Sequence, residues 1–246
     1  MKADLFIIFE NAQFIEKDFH HRNRIRNNSV EGYKWLTVPV EKKRLPINEI
    51  QIDNSRLQKN KTWNKHHHKT IKDYYFKAPY YYAHRDFLDS LYDKTWHSLL
   101  NLNMSIIYHL IETFDIKTPL IMSSNLNCIK REYKNRVPKP NTYEPQIEEA
   151  RYQKGLRATQ RIIDMCKEVG GDTYISGSGG KNYLVESFFK EEGIGLEYQC
   201  FRHPVYRQCF SPFIPNLSSL DYIMNVDVSR MDWFENSAME KPIVIH

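Results

Sequence analysis

The sequence predicts an α/β fold, a mostly parallel sheet flanked by helices. Three observations predict it. The C-terminal half runs helix, strand, turn, helix, strand, the order of β-α-β units whose strands lie parallel. The run Leu5-Phe6-Ile7-Ile8-Phe9 is continuously apolar over a strand length, as in a strand buried on both faces. With 41% hydrophobic and 26% charged residues over 246 positions, the chain has the balance and length to fill one large core. We therefore read residues 1–246 as a single domain.

After Leu5 to Phe9, Tyr33 to Val40 alternates and ends near proline, a strand at a sheet edge. Ile47 to Asp53 alternates with period two and reads as another strand. Thr62 to Phe76 is helical and stops at Lys77-Ala78-Pro79. Lys94 to Phe114 carries a wide apolar stripe at helical period, a core helix. Thr118 to Met122 is a short strand. The Pro/Asn/Lys-rich stretch 133–145 has no period and reads as a long, poorly ordered connection. Ile147 to Val169 is helical and ends at Gly170-Gly171. Asp172 to Ile175 is a strand, Ser176 to Gly180 a turn, Asn182 to Glu192 a helix, Gly195 to Phe201 a strand, and Leu217 to Asn225 a helix. The tail 227–246 matches no motif.

Composition removes several classes. No segment reaches the roughly 18 apolar residues of a membrane helix. The start Met1-Lys2-Ala3-Asp4 and its short apolar run lack a cleavage pattern, so the chain reads as cytoplasmic rather than secreted. The cysteines at 128, 166, 200 and 209 are scattered without C-x-x-C spacing, which suits reduced thiols and gives no zinc site. The 33 aromatic residues exclude disorder.

The net charge of +5 is unevenly spread. Lys17 to Lys77 holds 15 lysines and arginines against six acidic residues, a local +9, so the remainder sums to −4. Such a field suits an anionic ligand: a nucleotide-activated sugar, another phosphorylated small molecule, or nucleic acid. A solvated basic face is the plain alternative.

Four segments could carry chemistry. In Ser176-Gly177-Ser178-Gly179-Gly180-Lys181, small residues leave a strand and open a helix, which lets backbone N–H groups converge on an anion; Lys181 adds a charge. The Walker A and G-x-G-x-x-G spacings are both absent. A tight turn using glycine for positive φ is the competing reading. In Phe19 to Arg26, an extended backbone puts Arg22 and Arg24 on one face, suited to phosphate or carboxylate, while His20 or His21 could serve as a base. His66-His67-His68 is not a metal site, because adjacent residues on a helix point in three directions. Tyr206, Gln208 and Asn216 sit on a loop after a strand, where α/β proteins place ligands, and Ser218 reads as a helix N-cap. Glu10 and Gln13 leave the first strand at its carboxyl end in the same way. No G-x-S-x-G elbow or Ser-His-Asp order supports hydrolysis.

Together these segments resemble the WbqC-like protein family. The matching pieces are Phe6 to Phe14, Arg22-Asn23-Arg24-Ile25, Trp35 to Val40, Thr173 to Gly177 with Gly180 to Leu184, and His203 to Gln208 running into Phe213 to Ser218. The resemblance spans about Ala3 to Val226. It implies a cytoplasmic bacterial enzyme of O-antigen, lipopolysaccharide or other surface-polysaccharide synthesis, a glycine- or aminoacyl-type transferase acting on a nucleotide-linked amino sugar. It places Gln13, Arg22, Asn23, Arg24, Gly177, Lys181, Tyr183, Tyr206, Gln208 and Asn216 on recurrent motifs. It names no cofactor.

Two departures stand out. The family's usual N-terminal strand, with a His-Gln-Pro…Pro-Trp stretch, is lacking ahead of Asp4, and Glu10-Asn11 replaces Asp-Asp. In the leading reading, Ser176 to Lys181 with Arg22 and Arg24 hold a diphosphate, and His21 or Glu10 deprotonates the sugar amine. The alternatives are a non-catalytic sugar-nucleotide-binding or partner module of a glycan-assembly complex, and a single-strand nucleic-acid binder using Trp35, Trp63, Tyr74 and Tyr75.

Overall fold

A computed structural model describes residues 3–41, 43–130, 146–229 and 243–244, with backbone alone for 146–153 and 243–244. The connection expected at 133–145 and residues 230–242 of the tail lie outside the described residues. The chain divides into two compact units. One holds Glu10–Lys117 and the segment from His203 onward; the other holds the residues before Glu10, Thr118–Arg202 and the last strand.

The first unit is built on an antiparallel hairpin, β2 (Arg22–Arg26) against β3 (Tyr33–Thr37). The register pairs Arg22 with Thr37, Arg24 with Trp35 and Arg26 with Tyr33, so all six share one face. The alternation of arginines in the sequence is therefore realised as the extended segment it suggested. The hairpin turn needs Gly32, whose φ is +73°. A Cβ there would also stand 2.7 Å from the Arg26 guanidinium and 2.9 Å from Ile214.

Three helices complete this unit's core: α1 (Trp63–Tyr75), α2 (Tyr81–Asp93) and α3 (Leu99–Thr113). One cluster gathers Phe14, Ile50, Ile52, Trp63, Leu91, Leu99 and Leu102. Another gathers Ile25, Leu36, Ile71, Tyr75, Leu88 and Met224 of α6 (Ser219–Asn225). Ser218 caps α6, accepting from Leu220 N at 3.3 Å. Helix α1 falls where its period places it. Helix α3 starts at Leu99, not Lys94, because the Ser98 hydroxyl accepts from Asn101 N and fixes the start there.

The strand expected over Ile47 to Asp53 is not one. Pro46 leads into a 3₁₀ turn, Ile47–Glu49, and only Ile50 and Ile52 turn inward, through single bridges from Val40 to Ile52 and from Gln51 to Ser98. The alternation is real but lasts three residues.

The second unit is a mixed α/β assembly with short parallel pairings beside helices. β1 (Phe6–Ile8) pairs in parallel with β4 (Leu120–Met122), and β5 (Thr173–Ser176) with β6 (Gly195–Tyr198). β7 (Ile243–Val244) adds antiparallel to β6. Helices α4 (Gln146–Glu168) and α5 (Glu186–Glu191) complete it. Its core holds Leu126, Ile162, Ile163, Met165, Phe189 and Leu196. Gly170, with φ +71°, ends α4 where Gly170-Gly171 predicts. β1 is not sealed on both faces as its apolar run suggests. Among the described residues it spans three positions and has one strand partner, and Phe6 is 43% exposed.

Gly32→Ala should lower stability by about 1–3 kcal/mol, because the position demands both a left-handed backbone and an empty Cβ site. Denaturant unfolding checks this. A second expectation concerns His67, buried in α1 against Trp63 and Tyr92, whose ring centroids lie 5.4 and 6.2 Å away. Burial, helped by His66 and Lys34, depresses its pKa from 6.5 to about 3. The neutral form is the native one, so its contribution is whole above pH 6.5 and is lost as pH falls toward about 3. Stability should decline there by up to about 1.4 kcal/mol per pH unit from this group, and His67→Phe should flatten that slope.

Candidate functional site

The hairpin face alternates cations and rings. The Arg22 guanidinium lies 4.2 Å from the Trp35 ring centroid, and that of Arg24 lies 5.0 Å from Tyr33 and 5.7 Å from Trp35. Ring faces carry partial negative charge, so the stack holds both arginines extended with their polar edges available. Arg22 also donates to the Lys17 carbonyl and Arg24 to that of Asn216, the latter at 2.7 Å. Among the described residues, Nε of each arginine is buried without a hydrogen-bond partner. The third arginine of the face, Arg26, is fully buried on the carbonyls of Asn27, Gly32 and Pro212 and does not reach solvent.

Beside Arg22 opens a cavity of about 600 Å³, inside the range of about 300–1,000 Å³ typical of small-molecule sites. Its rim carries Lys17, Arg22, Lys43, Arg44 and Arg56, and Glu16 is the one acid among the described lining residues. His21 lines it too, only 8% exposed, with its ring edge-on to Phe14 at 5.2 Å. Its Nδ1 lies 3.0 Å from the Val38 carbonyl, which can only accept, so Nδ1 carries the proton. That leaves the Nε2 lone pair without a hydrogen-bond partner among the described residues. Burial lowers the His21 pKa, with the Arg22 charge assisting, so the imidazole is a neutral base at pH 7.

Behind the hairpin lies a buried carboxylate that the sequence reading did not single out. Asp221, 0% exposed at the start of α6, accepts from Tyr75 Oη at 2.7 Å, Tyr206 Oη at 2.7 Å and Gln208 Nε2 at 2.8 Å. Tyr75 Oη in turn accepts from Arg26 N at 2.7 Å. Burial first, then the Asp221 charge, pushes both tyrosine hydroxyls up and keeps them protonated. Gln208 also clasps Ile214, donating to its carbonyl at 2.9 Å and accepting from its N at 2.8 Å.

In the second unit, Ser176 to Tyr183 forms a 3₁₀ turn, Ser178–Asn182, capped by Gly177. It does not open a helix directly, since α5 begins at Glu186. Gly177, Gly179 and Gly180 are absent from the positive-φ positions, so the turn does not use glycine for handedness. Gly180 is needed for space: a Cβ would lie 2.1 Å from Ser176 Oγ. Gly155 likewise lets α4 approach, its Cβ position being 2.6 Å from the Tyr183 carbonyl. Ser178 and Lys181 are exposed, and the Lys181 ammonium lies 5.1 Å from the Tyr198 ring centroid.

The profile of the WbqC-like protein family matches residues 1–232. The chain belongs to the WbqC-like protein family. It is also similar to the uncharacterized protein Rv1507c of Mycobacterium tuberculosis, 25% identical over 238 residues that cover 94% of this chain and 87% of that one. No solved structure matches.

The site residues expected from the sequence of this WbqC-like protein occupy distinct places. His21 and Arg22 line the cavity, and Arg24 continues the ladder. Asn23 is exposed, its Oδ1 accepting from Arg24 N at 2.8 Å. Gln13 donates to the Leu45 carbonyl at 3.0 Å, closing the loop beneath the cavity-lining Phe14 to Lys17. Glu10 is 2% exposed and outside the cavity lining, its carbonyl accepting from Asn48 N at 3.1 Å. Tyr206 and Gln208 serve Asp221, and Asn216, at φ +59°, presents its carbonyl to Arg24. Ser176, Gly177, Ser178, Gly180, Lys181 and Tyr183 belong to the second unit. Lys43, Arg44 and Arg56 went unremarked in the motif reading because they lie 20 to 35 residues from Arg22 in loops without pattern.

In this WbqC-like protein, Asp221→Ala leaves three buried donors unpaired and should cost about 3 kcal/mol or more, whereas Tyr206→Phe removes one and should cost about 1–2 kcal/mol. Chemical denaturation with fluorescence detection measures both.

Proposed function

We propose that the cavity beside Arg22 binds the phosphates of a nucleotide-linked amino sugar and that His21 is the base of an aminoacyl transfer to the sugar nitrogen. The observation that carries the reading is one histidine in one field: His21, whose Nε2 is buried and without a hydrogen-bond partner among the described residues, lines a cavity together with five cations. Arg22 supplies a planar guanidinium for a diphosphate, and the lysines supply point charges. The neutral sugar amine bonds to the carbonyl carbon of an activated aminoacyl donor. Its proton passes to His21 Nε2 and the donor's leaving group departs, carrying its bonding electrons. The surface-polysaccharide role that resemblance to the WbqC-like family implies supports this reaction class, and the geometry of the first unit supports the binding step.

A second reading has one observation in its favour. Arg22, Trp35, Arg24 and Tyr33 alternate on an open hairpin face, an arrangement that suits stacked bases of a single strand.

A thermal-shift panel of UDP-, dTDP- and GDP-linked amino sugars, with a short single-stranded oligonucleotide beside them, separates the two. A sugar nucleotide at about 100 times its Kd should stabilise by about 2.7 kcal/mol. Arg22→Ala should weaken that binding about tenfold. His21→Gln should keep the affinity and lower turnover at least about 100-fold. Because the His21 pKa lies below 6.5, kcat/KM should hold at neutral pH and fall with acid below the ordinary histidine range. Binding with no product from any aminoacyl donor would assign the protein to the non-catalytic class. A flat sugar-nucleotide panel from a cooperatively folded protein sinks the proposal.

A further inference from the structure

On the other face of the same hairpin the first unit carries a second, smaller cavity of about 240 Å³. Lys34 projects from β3 on the side opposite Trp35 and lines it together with Lys59, Lys61, His66 and Lys69. The one carboxylate among the described lining residues, Asp73, is held by Lys69 at 2.7 and 2.9 Å. Lys34, Lys59 and Lys61 share the rest of the lining, and Asp73, whose charge also acts on Lys34, is outnumbered there. Burial and then Lys59 lower the pKa of the half-buried Lys34 while Asp73 opposes them, and burial with Lys34, Lys59 and Lys61 lowers that of His66.

The backbone that carries two of these lysines is itself held in a costly shape. Lys59 and Asn60 have φ of +49° and +60°, the pair of left-handed residues of a type I′ turn, where glycine or asparagine is favoured at both positions. Gln58 and Lys61 close the turn with bonds of 2.7 and 3.1 Å, and the Gln58 side chain ties it to the Thr37 carbonyl of β3 at 2.8 Å. A lysine thus occupies a position that favours glycine, in a turn fastened to the strand bearing Lys34.

We infer that this cavity is a phosphoryl-anion site, separate from the one beside Arg22, in which Lys34, Lys59 and Lys61 converge on a phosphate or pyrophosphate group while His66 donates from the rim. Bound phosphate oxygens accept from the ammonium groups and offset the repulsion among them. The cavity's size suits one or two phosphoryl groups, free or at the end of a larger molecule.

The test follows the His66 imidazole resonance by NMR, assigned with His66→Gln, during titration with inorganic phosphate, pyrophosphate and a nucleoside diphosphate. The wild-type signal should move saturably with pyrophosphate, and His66 should titrate at higher pH when the anion is bound. Movement with the nucleoside diphosphate as well would assign a terminal phosphoryl of a larger ligand; movement with the inorganic anions alone would assign free phosphate. Lys59→Gly supplies the decisive variant, because glycine accepts the turn's φ. It should melt no lower than wild type yet bind pyrophosphate at His66 about tenfold more weakly. Arg22→Ala should leave the His66 response unchanged, which keeps this result independent of the larger cavity. A His66 signal unmoved by all three probes, or an affinity that Lys59→Gly leaves intact, overturns the inference.

Discussion

The first unit hangs on the Asp221 carboxylate. A fully buried carboxylate is tolerated only when its lone pairs are met by donors, and here the donors come from two separate stretches of chain and meet a third. Tyr75 brings α1, Tyr206 and Gln208 bring the segment before α6, and Asp221 itself opens α6. Through Tyr75 Oη the network reaches the Arg26 amide, and so the hairpin. Gln208 fixes Ile214, while Arg26 fixes Pro212, so the run that leads to Asn216 is pinned at several points. The Asn216 carbonyl is then in place to hold Arg24. A polar core network thus orients a surface row of arginines.

That dependence changes the meaning of the Tyr206-Gln208 motif. By position, two polar residues on a loop after a strand look like ligand contacts. By geometry, Tyr206 bonds to Asp221, Gln208 divides its bonds between Asp221 and Ile214, and Gln208 is 9% exposed. Through the backbone they hold, they also help to position Arg24 and its neighbours.

What the sequence made legible followed from short-range rules. The period of α1, the double glycine after α4, the Ser218 cap and the extended arginine run all depend on residues within a few positions of one another. Helix α2 was hidden because its buried stripe is Tyr81, His84, Leu88 and Leu91, and two of those four have polar groups that blur the period. Ile47 to Asp53 misled because Ile50 and Ile52 do alternate, while the turn at Ile47–Glu49 is dictated by long-range bonds such as Ile47 N to the Ala12 carbonyl. In the candidate site, His21 and the arginine face were readable from spacing. Asp221 was not, because its partners lie 13, 15 and 146 residues away in sequence. Nor could spacing reveal that His66, His67 and His68 meet three different surroundings: one lines a lysine cavity, one is core, and one meets Asp89 at 2.8 Å.

The hairpin also explains why so basic a stretch folds at all. Period-two alternation sorts its charges onto opposite faces, and each face handles repulsion differently. On one, Trp35 and Tyr33 interleave with Arg22 and Arg24, so ring faces stand between guanidinium groups and lower the cost of bringing them together. Guanidinium tolerates that setting because its charge is delocalised and weakly hydrated. On the other, Lys34 lines a cavity with Lys59 and Lys61, and burial first, then the Lys59 charge, lowers its pKa. Lysine, a compact and strongly hydrated charge, responds to crowding by losing proton affinity. The same local excess of charge therefore produces two chemically different surfaces, one fixed and stacked, the other repelling and open to an anion.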